Sequence, residues 1–225
     1  ELELLNVWKD EIPAEVFTET FTPPITDGSG NDRKNLLKAK EILEKEGWFV
    51  ENGKLVKDGK EFKFEFLIVS PSDEKIALAY QSNLKKLGIT MDVRTVDSSQ
   101  YQERLLSYDF DMIKRYWGVS LSPGNEQQFY WGSEVGQKDG SRNYPGINSP
   151  AVDALIEKLI SATNREELTT AIHALDRVLL WGHYVVPLYH SNKDRIAYWD
   201  FFEYPDEIPL YGIVIESWWI NKDKQ

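Results

Sequence analysis

Asp109 and Asp111, separated by a single residue, are the first candidates for chemistry in this chain. On a β-strand they point to one face, where paired carboxylates can divide acid and base roles or flank a glycosidic bond. A hydrolase is thus one reading, and two solvated aspartates at a strand's start are the plainer one. Three histidines, His173, His183 and His190, are the only imidazoles, and their spacing matches no zinc signature. His173 falls inside an expected amphipathic helix, so no metal site is expected. The absence of cysteine removes thiolate ligands, cysteine nucleophiles and disulfides, and leaves the redox compartment open. Gly118-Val-Ser-Leu-Ser122 lacks the second glycine of a nucleophile elbow, and Gly28-Ser-Gly30 lacks the third glycine of a dinucleotide fingerprint. Apart from the aspartate pair, no catalytic residue and no cofactor is expected.

The chemistry of binding is better represented. Residues 114 to 133 place aromatics, hydroxyls, an amide and charges on one stretch. Arg115 and Arg142 bracket it, and each guanidinium offers a planar fork of donors to a ligand carboxylate or phosphate, or else faces water. Ser120, Ser122, Asn125 and Glu126 suit a peptide backbone or a sugar, and Glu126 also suits an amine. A turn at Ser122-Pro-Gly-Asn125 is the competing use of the same residues. Tyr116, Trp117, Gly118 and Tyr144 complete the set of candidate contacts. The chain holds 8 Trp, 11 Tyr and 10 Phe, and Trp117, Phe129, Tyr130, Trp131, Tyr144, Trp218 and Trp219 fall in expected loops or terminal strands. Rings there line a ligand cavity or fill a core; Trp181 and Trp199 are expected to fill a core.

These residues need a frame, and the hydrophobic pattern supplies one. Tyr108 to Ile113 reads as a strand, so the rich stretch leaves a strand's carboxyl end, where ligands sit in open α/β sheets. Asn31 or Asp32 caps a helix whose stripe of Leu36, Leu37, Ala39, Ile42 and Leu43 is expected to face a core before Gly47. Asn52-Gly53 and Asp58-Gly59 predict hairpin turns, followed by a strand over 61–69. Ser72 or Asp73 opens a helix ending at Gly88, and Ile89 to Val96 returns as a strand, which makes a right-handed βαβ unit. Asp97 or Ser98 starts a shorter helix before the strand at 109–114. Ser149-Pro150 caps a further helix, Arg165 to Trp181 forms another, and both are expected to pack on the sheet. From Val185 onward short strands are broken by Pro187, Pro205 and Pro209 and end at Ile213 to Ile220.

Composition bounds the function. A balance of 26 basic against 37 acidic side chains gives a net charge of −11, which disfavours nucleic acid and anionic membrane surfaces as partners. No run approaches the roughly 20 apolar residues of a membrane-spanning helix. With neither an initiating Met nor a signal-peptide pattern, the chain reads as a fragment or processed product, expected to hold only part of a larger site.

The order of motifs carries a resemblance. A helix ending Glu46-Gly-Trp48, a hairpin, Lys63-Phe-Glu-Phe-Leu-Ile68, then Ile76-Ala-Leu-Ala-Tyr-Gln-Ser-Asn-Leu-Lys-Lys-Leu-Gly-Ile89, Val96-Asp-Ser-Ser-Gln-Tyr101, Asp109-Phe-Asp-Met112, Asn148-Ser-Pro-Ala-Val-Asp153 and Val186-Pro-Leu-Tyr189 together resemble the carboxy-terminal lobe of the family 5 extracellular solute-binding proteins. Phe21-Thr-Pro-Pro-Ile-Thr-Asp-Gly-Ser-Gly-Asn31, Ser122-Pro-Gly-Asn-Glu-Gln127 and Ala174-Leu-Asp-Arg-Val-Leu179 are similar to the Yej branch, which serves oligopeptides and microcin C. The resemblance implies an α/β fold of the periplasmic-binding-protein type II kind, with a mixed sheet flanked by helices. Residues 1–31 would be a leading segment and linker, 32–190 the ligand-binding lobe, and 191–225 a segment crossing back toward a first lobe. It further implies a monomeric periplasmic receptor that captures oligopeptides for an ABC permease of the inner membrane, with oligosaccharide as the alternative ligand. In such receptors an aspartate three residues after the loop tryptophan binds the ligand's amino group; counted from Trp117, that position is Ser120 here.

Overall fold

The computed structural model describes every residue except Asn31, Val119, Gln137, Tyr189, His190, Asn192, Tyr211 and Gln225. The alternative cap Asn31, the third histidine and the last residue of the Val186–Tyr189 motif therefore lie outside the described residues. The chain divides into two compact units, Glu1–Tyr184 and Val185–Gln225.

The first unit opens with short helices α1 (Leu2–Leu5) and α2 (Glu15–Thr18), whose Leu5 and Val16 are fully buried. Helix α3 (Arg33–Lys45) follows an irregular stretch; the Asp32 carboxylate caps it by accepting the Asn35 N–H at 3.2 Å. Its stripe does not meet a core as expected. Leu37 and Ile42 are 50% and 52% exposed, and no residue of α3 is fully buried. The hairpin that follows is β1 (Phe49–Glu51), β2 (Lys54–Lys57) and β3 (Lys60–Glu61), antiparallel throughout. Asn52, Gly53, Asp58 and Gly59 all take positive φ, the geometry such two-residue turns require.

The parallel sheet carries the site. β4 (Lys63–Ile68), α4 (Pro71–Lys85) and β5 (Thr90–Thr95) form the expected βαβ unit, with β4 and β5 in parallel register. α4 begins earlier than expected, since Ser70 supplies the cap to the Ser72 N–H and Pro71 fits the first turn. Gly88 closes the unit at φ +80°, its carbonyl accepting the Leu55 N–H at 2.8 Å and so tying the hairpin to the sheet. α5 (Ser98–Leu106) is capped by Asp97, which accepts the N–H groups of Ser99 and Gln100. β6 (Met112–Ile113) then pairs with β4 on its other side, giving the parallel order β5-β4-β6. Side chains alternate along β4: Phe66 and Ile68 pack under α4 with Ala77 and Met91, while Leu67 packs under α5 with Tyr101 and Leu105.

The strand expected over 109–114 is confined to β6. Tyr108 takes φ 55°, and Arg104 of α5 holds both the carbonyl and the carboxylate of Asp109 at 2.8 Å, which turns the chain away from the ladder. Within the stretch expected to be a loop, residues 126 onward fold into α6 (Glu126–Trp131) and α7 (Ser133–Gly136). α8 (Pro150–Ile160) starts at the expected cap, Ser149, and α9 (Arg165–Trp181) at Asn164, whose side chain accepts the Glu167 N–H. They do not pack on the sheet, whose faces α4 and α5 already cover. Instead Val152, Leu155, Ile156 and Leu159 meet Ala171, Ala174, Leu175 and Val178, and Leu5, Ile12 and Val16 close the third side.

In the second unit β7 (Phe202–Glu203) pairs antiparallel with β8 (Trp219–Ile220), and a 3-10 turn over Ile215–Ser217 replaces most of the expected terminal strand. Trp199 is 74% exposed rather than in a core, since so short a unit has no interior for it. Tyr198, Tyr204 and Trp218 pack edge and face at 5.0–5.7 Å beside a concavity of about 230 Å³ also lined by Asp194 and Glu207.

A candidate ligand-binding surface

The surface is rooted at the carboxyl end of β6. The Lys114 carbonyl accepts the Tyr101 hydroxyl from α5 at 3.2 Å, and its ammonium pairs with Asp73 in the first turn of α4. Both charged side chains are about one-seventh exposed, 15% and 14%. The bond to Asp73 pushes the Lys114 amine above its ordinary value against the opposing cost of burial, and a carboxylate in a helix's first turn is itself favoured by the free N–H groups there. Helices on opposite faces of the sheet therefore fix where the loop begins.

Beyond that root, Arg115 lies over the Tyr144 ring, 4.9 Å from its centroid, and Tyr116 is 79% exposed. Trp117 packs against Trp131 at 5.2 Å and 33°. Its buried indole N–H has no acceptor among the described residues, an unmet donor worth about 1–3 kcal/mol. Tyr130 is buried and donates its hydroxyl to the Gly118 carbonyl at 3.1 Å, while the Trp131 indole donates to Gln127 at 2.9 Å. α6 is thus a brace behind residues 117–118, and Tyr130 belongs to that brace.

The polar candidates close local turns. Ser120 Oγ donates to the Ser122 carbonyl at 2.7 Å and accepts the Ser122 N–H at 3.2 Å. Glu126 Oε1 accepts the Gly124 N–H at 3.0 Å and the Gln127 side-chain amide at 3.3 Å. Burial works to raise the Glu126 carboxyl, but these bonds overcome it and hold the group below its usual range. Asn125 is exposed at the head of α6 and makes no side-chain cap. The turn reading of Ser122-Pro-Gly-Asn125 therefore describes how these residues are used within the chain.

A second loop, 142–149, is pinned against the first. Asn143 is fully buried; it donates to the Gly132 carbonyl at 3.0 Å and the Ile147 carbonyl at 2.8 Å, and accepts the Ile147 N–H at 2.9 Å. Ser133 gives its N–H to Asp153 and accepts the Ser149 N–H. Nothing in the sequence marked Asn143; a lone asparagine between glycines and prolines reads as a turn residue. Tyr144, next in the chain, packs at a tilt against Tyr108 and Phe110 and receives Arg115. Arg142 is exposed and makes no ion pair or hydrogen bond among the described residues. The structure thus joins Arg115 with Tyr144, and Trp117 and Gly118 with α6, while Ser120 with Ser122 and Glu126 with Gly124 stand as separate turns.

The earlier candidates for chemistry have structural employment. Asp109 is held by Arg104, and Asp111 accepts the Glu65 N–H at 2.8 Å on β4. Neither lies on a strand, so the one-face pairing expected of them does not form. His173 on α9 contacts Glu1 at 2.9 Å, and His183 packs beside Phe21 and Trp181.

The α/β unit has counterparts among known proteins. The family model described as "Bacterial extracellular solute-binding proteins, family 5 Middle" matches residues 8–139. The chain belongs to the family 5 extracellular solute-binding proteins. Within that family it is 42% identical to the probable peptide-binding protein YejA of Agrobacterium fabrum over 99% of this chain and 37% of that protein. It is 41% identical to the peptidoglycan-binding protein YepA of the same organism, over 97% of this chain and 36% of the relative. The chain thus spans about a third of the length of the curated relatives it matches. Among solved structures, the oligopeptide-binding protein AppA from Bacillus subtilis, in complex with a nonapeptide, superposes with a TM-score of 0.61 at 24% identity, over 80% of this chain and 38% of AppA. That likeness establishes the fold, the α/β architecture of type II periplasmic binding proteins. Family 5 membership also answers to the order of motifs from the Glu46-Gly-Trp48 helix end to Asp109-Phe-Asp-Met112, all of it inside the matched residues.

Proposed function

We propose that the chain is the ligand-facing part of a periplasmic receptor that captures oligopeptides or peptide-like solutes and delivers them to an ABC permease of the inner membrane, without chemistry of its own. The observation that carries this reading is the exposed loop at the end of β6, held rigid by Lys114–Asp73 and α6 yet presenting Arg115, Tyr116, Gly118, Ser120, Ser122 and Asn125 outward. Trp117 and Glu126 sit behind them, and Arg142 and Tyr144 border them from the second loop. Backbone carbonyls and N–H groups between ring faces bind a peptide main chain while leaving its side chains free to vary. Residues 32–190 would form the lobe and 191–225 the return toward a first lobe, with closure over ligand as the working step. The peptide-binding name of the YejA relative supports the choice of solute.

A second reading, a peptidoglycan fragment, is favoured by the name of the YepA relative and by exposed rings that suit sugar stacking, Tyr116 at 79% and Phe129 at 56%. Calorimetry on the full-length receptor separates the two. Heat with a mixed peptide pool and none with glycan strands supports the first reading, heat only with muropeptides supports the second, and silence with peptides of every length removes the first.

A further inference from the structure

Formal charge on the loop is lopsided. The chain carries −11 overall, yet residues 114–133 contain a single acid, Glu126, and it is turned inward. Its Oε1 takes the Gly124 N–H and the Gln127 amide, and its Oε2 lies 3.5 Å from where a Cβ on Gly124 would stand. Ser120 spends both its donor and one lone pair on Ser122. Three neighbouring acids are committed too, Asp73 to Lys114, Asp109 to Arg104, and Asp111 to the Glu65 N–H, while Asp139 lies within electrostatic reach of Tyr108 on the second loop's side. Arg115 is in the opposite condition. It is exposed, makes no ion pair among the described residues, and has its guanidinium set 4.9 Å from the Tyr144 ring. A guanidinium laid on a ring is oriented without using the N–H edges that grip carboxylates in pairs.

Building on the peptide reading above, we propose that this loop anchors its ligand by a carboxylate, through Arg115 on Tyr144, and does not hold the ligand's amino end as an ammonium ion. The substrate class is then peptides that bear a free carboxylate, whether their amino end is free or acylated. A free amine gains no partner from this loop, and near Arg115 it meets like charge. Tyr144 owes its place to the buried Asn143 beside it, so the anchor is held from within the fold.

The test is titration calorimetry on the full-length receptor with one pool of tetra- to decapeptides prepared in four forms: free ends, N-acetylated, C-amidated and blocked at both. Acetylation should change affinity by less than about threefold, and amidation should weaken it by about tenfold or more, the scale of one charge-assisted contact. Arg115→Met, which keeps the stem on Tyr144, should weaken the acid form to the level of the amide and leave the amide form unchanged. Arg115→Lys should restore part of the loss. A tenfold loss on acetylation, or an equal loss of acid and amide forms in Arg115→Met, overturns this proposal while leaving the peptide reading intact. No heat from any form of the pool overturns the peptide reading and this proposal with it.

Discussion

Glu126 shows how a single side chain of the surface does structural work. Its carboxylate closes the turn before α6, and the folded loop favours the ionised form. The contribution is fully present above the ordinary glutamate value, about 4.3, and is lost as pH falls through the depressed folded value. Glu126→Gln should therefore lower the neutral plateau and flatten the acid limb of a melting profile followed by tryptophan fluorescence from about pH 6 to about pH 3. An unchanged acid limb would mean that the turn does not depend on the charge. Asn143 makes a sharper case. Asn143→Ala removes three buried hydrogen bonds, leaving the Gly132 and Ile147 carbonyls and the Ile147 N–H without this partner. It should cost about 1–3 kcal/mol in denaturant unfolding and weaken ligand binding as Tyr144 loosens, whereas a fully stable variant with intact affinity would show that the two loops hold without it.

Among the elements, Gly88 joins the antiparallel hairpin to the parallel sheet. At φ +80°, with a Cβ position 2.8 Å from the Leu55 nitrogen, Gly88→Ala should destabilise by about 1–3 kcal/mol in urea titration. A neutral result would contradict the close approach. This scale also shows what sequence reveals and what it hides. Asp97, Ser149, Asn52-Gly53 and the βαβ unit were legible because their signals are local: a cap needs its own side chain, and a tight turn needs its own positive φ. Three misreadings share a non-local cause. The strand at 109–114 was cut short by Arg104 reaching across a turn to Asp109, which no alternation pattern records. The stripes of α8 and α9 announced a buried face but not its partner, and α4 and α5 had already taken the sheet. The stripe of α3 announced burial that the chain does not supply. The site was read in the same uneven way. The rich stretch was visible as composition, but Arg115 on Tyr144, the brace of α6 and the inward turn of Glu126 depend on contacts between segments.

For the whole molecule, membership of family 5 rests on the match over residues 8–139, and the chain accounts for about a third of its curated relatives' length. The account of its role therefore stands or falls on what the full-length receptor holds. The central claim is that the loop at the end of β6 grips a peptide-like solute without transforming it. Mass spectrometry of ligand released from the full-length receptor after gentle purification tests that claim most directly. The account predicts an intact compound containing a peptide with a free carboxylate, recovered in lower yield from the Arg115→Met receptor. A sugar without peptide, or a solute recovered as cleavage products that disappear in Asp111→Asn, would contradict it.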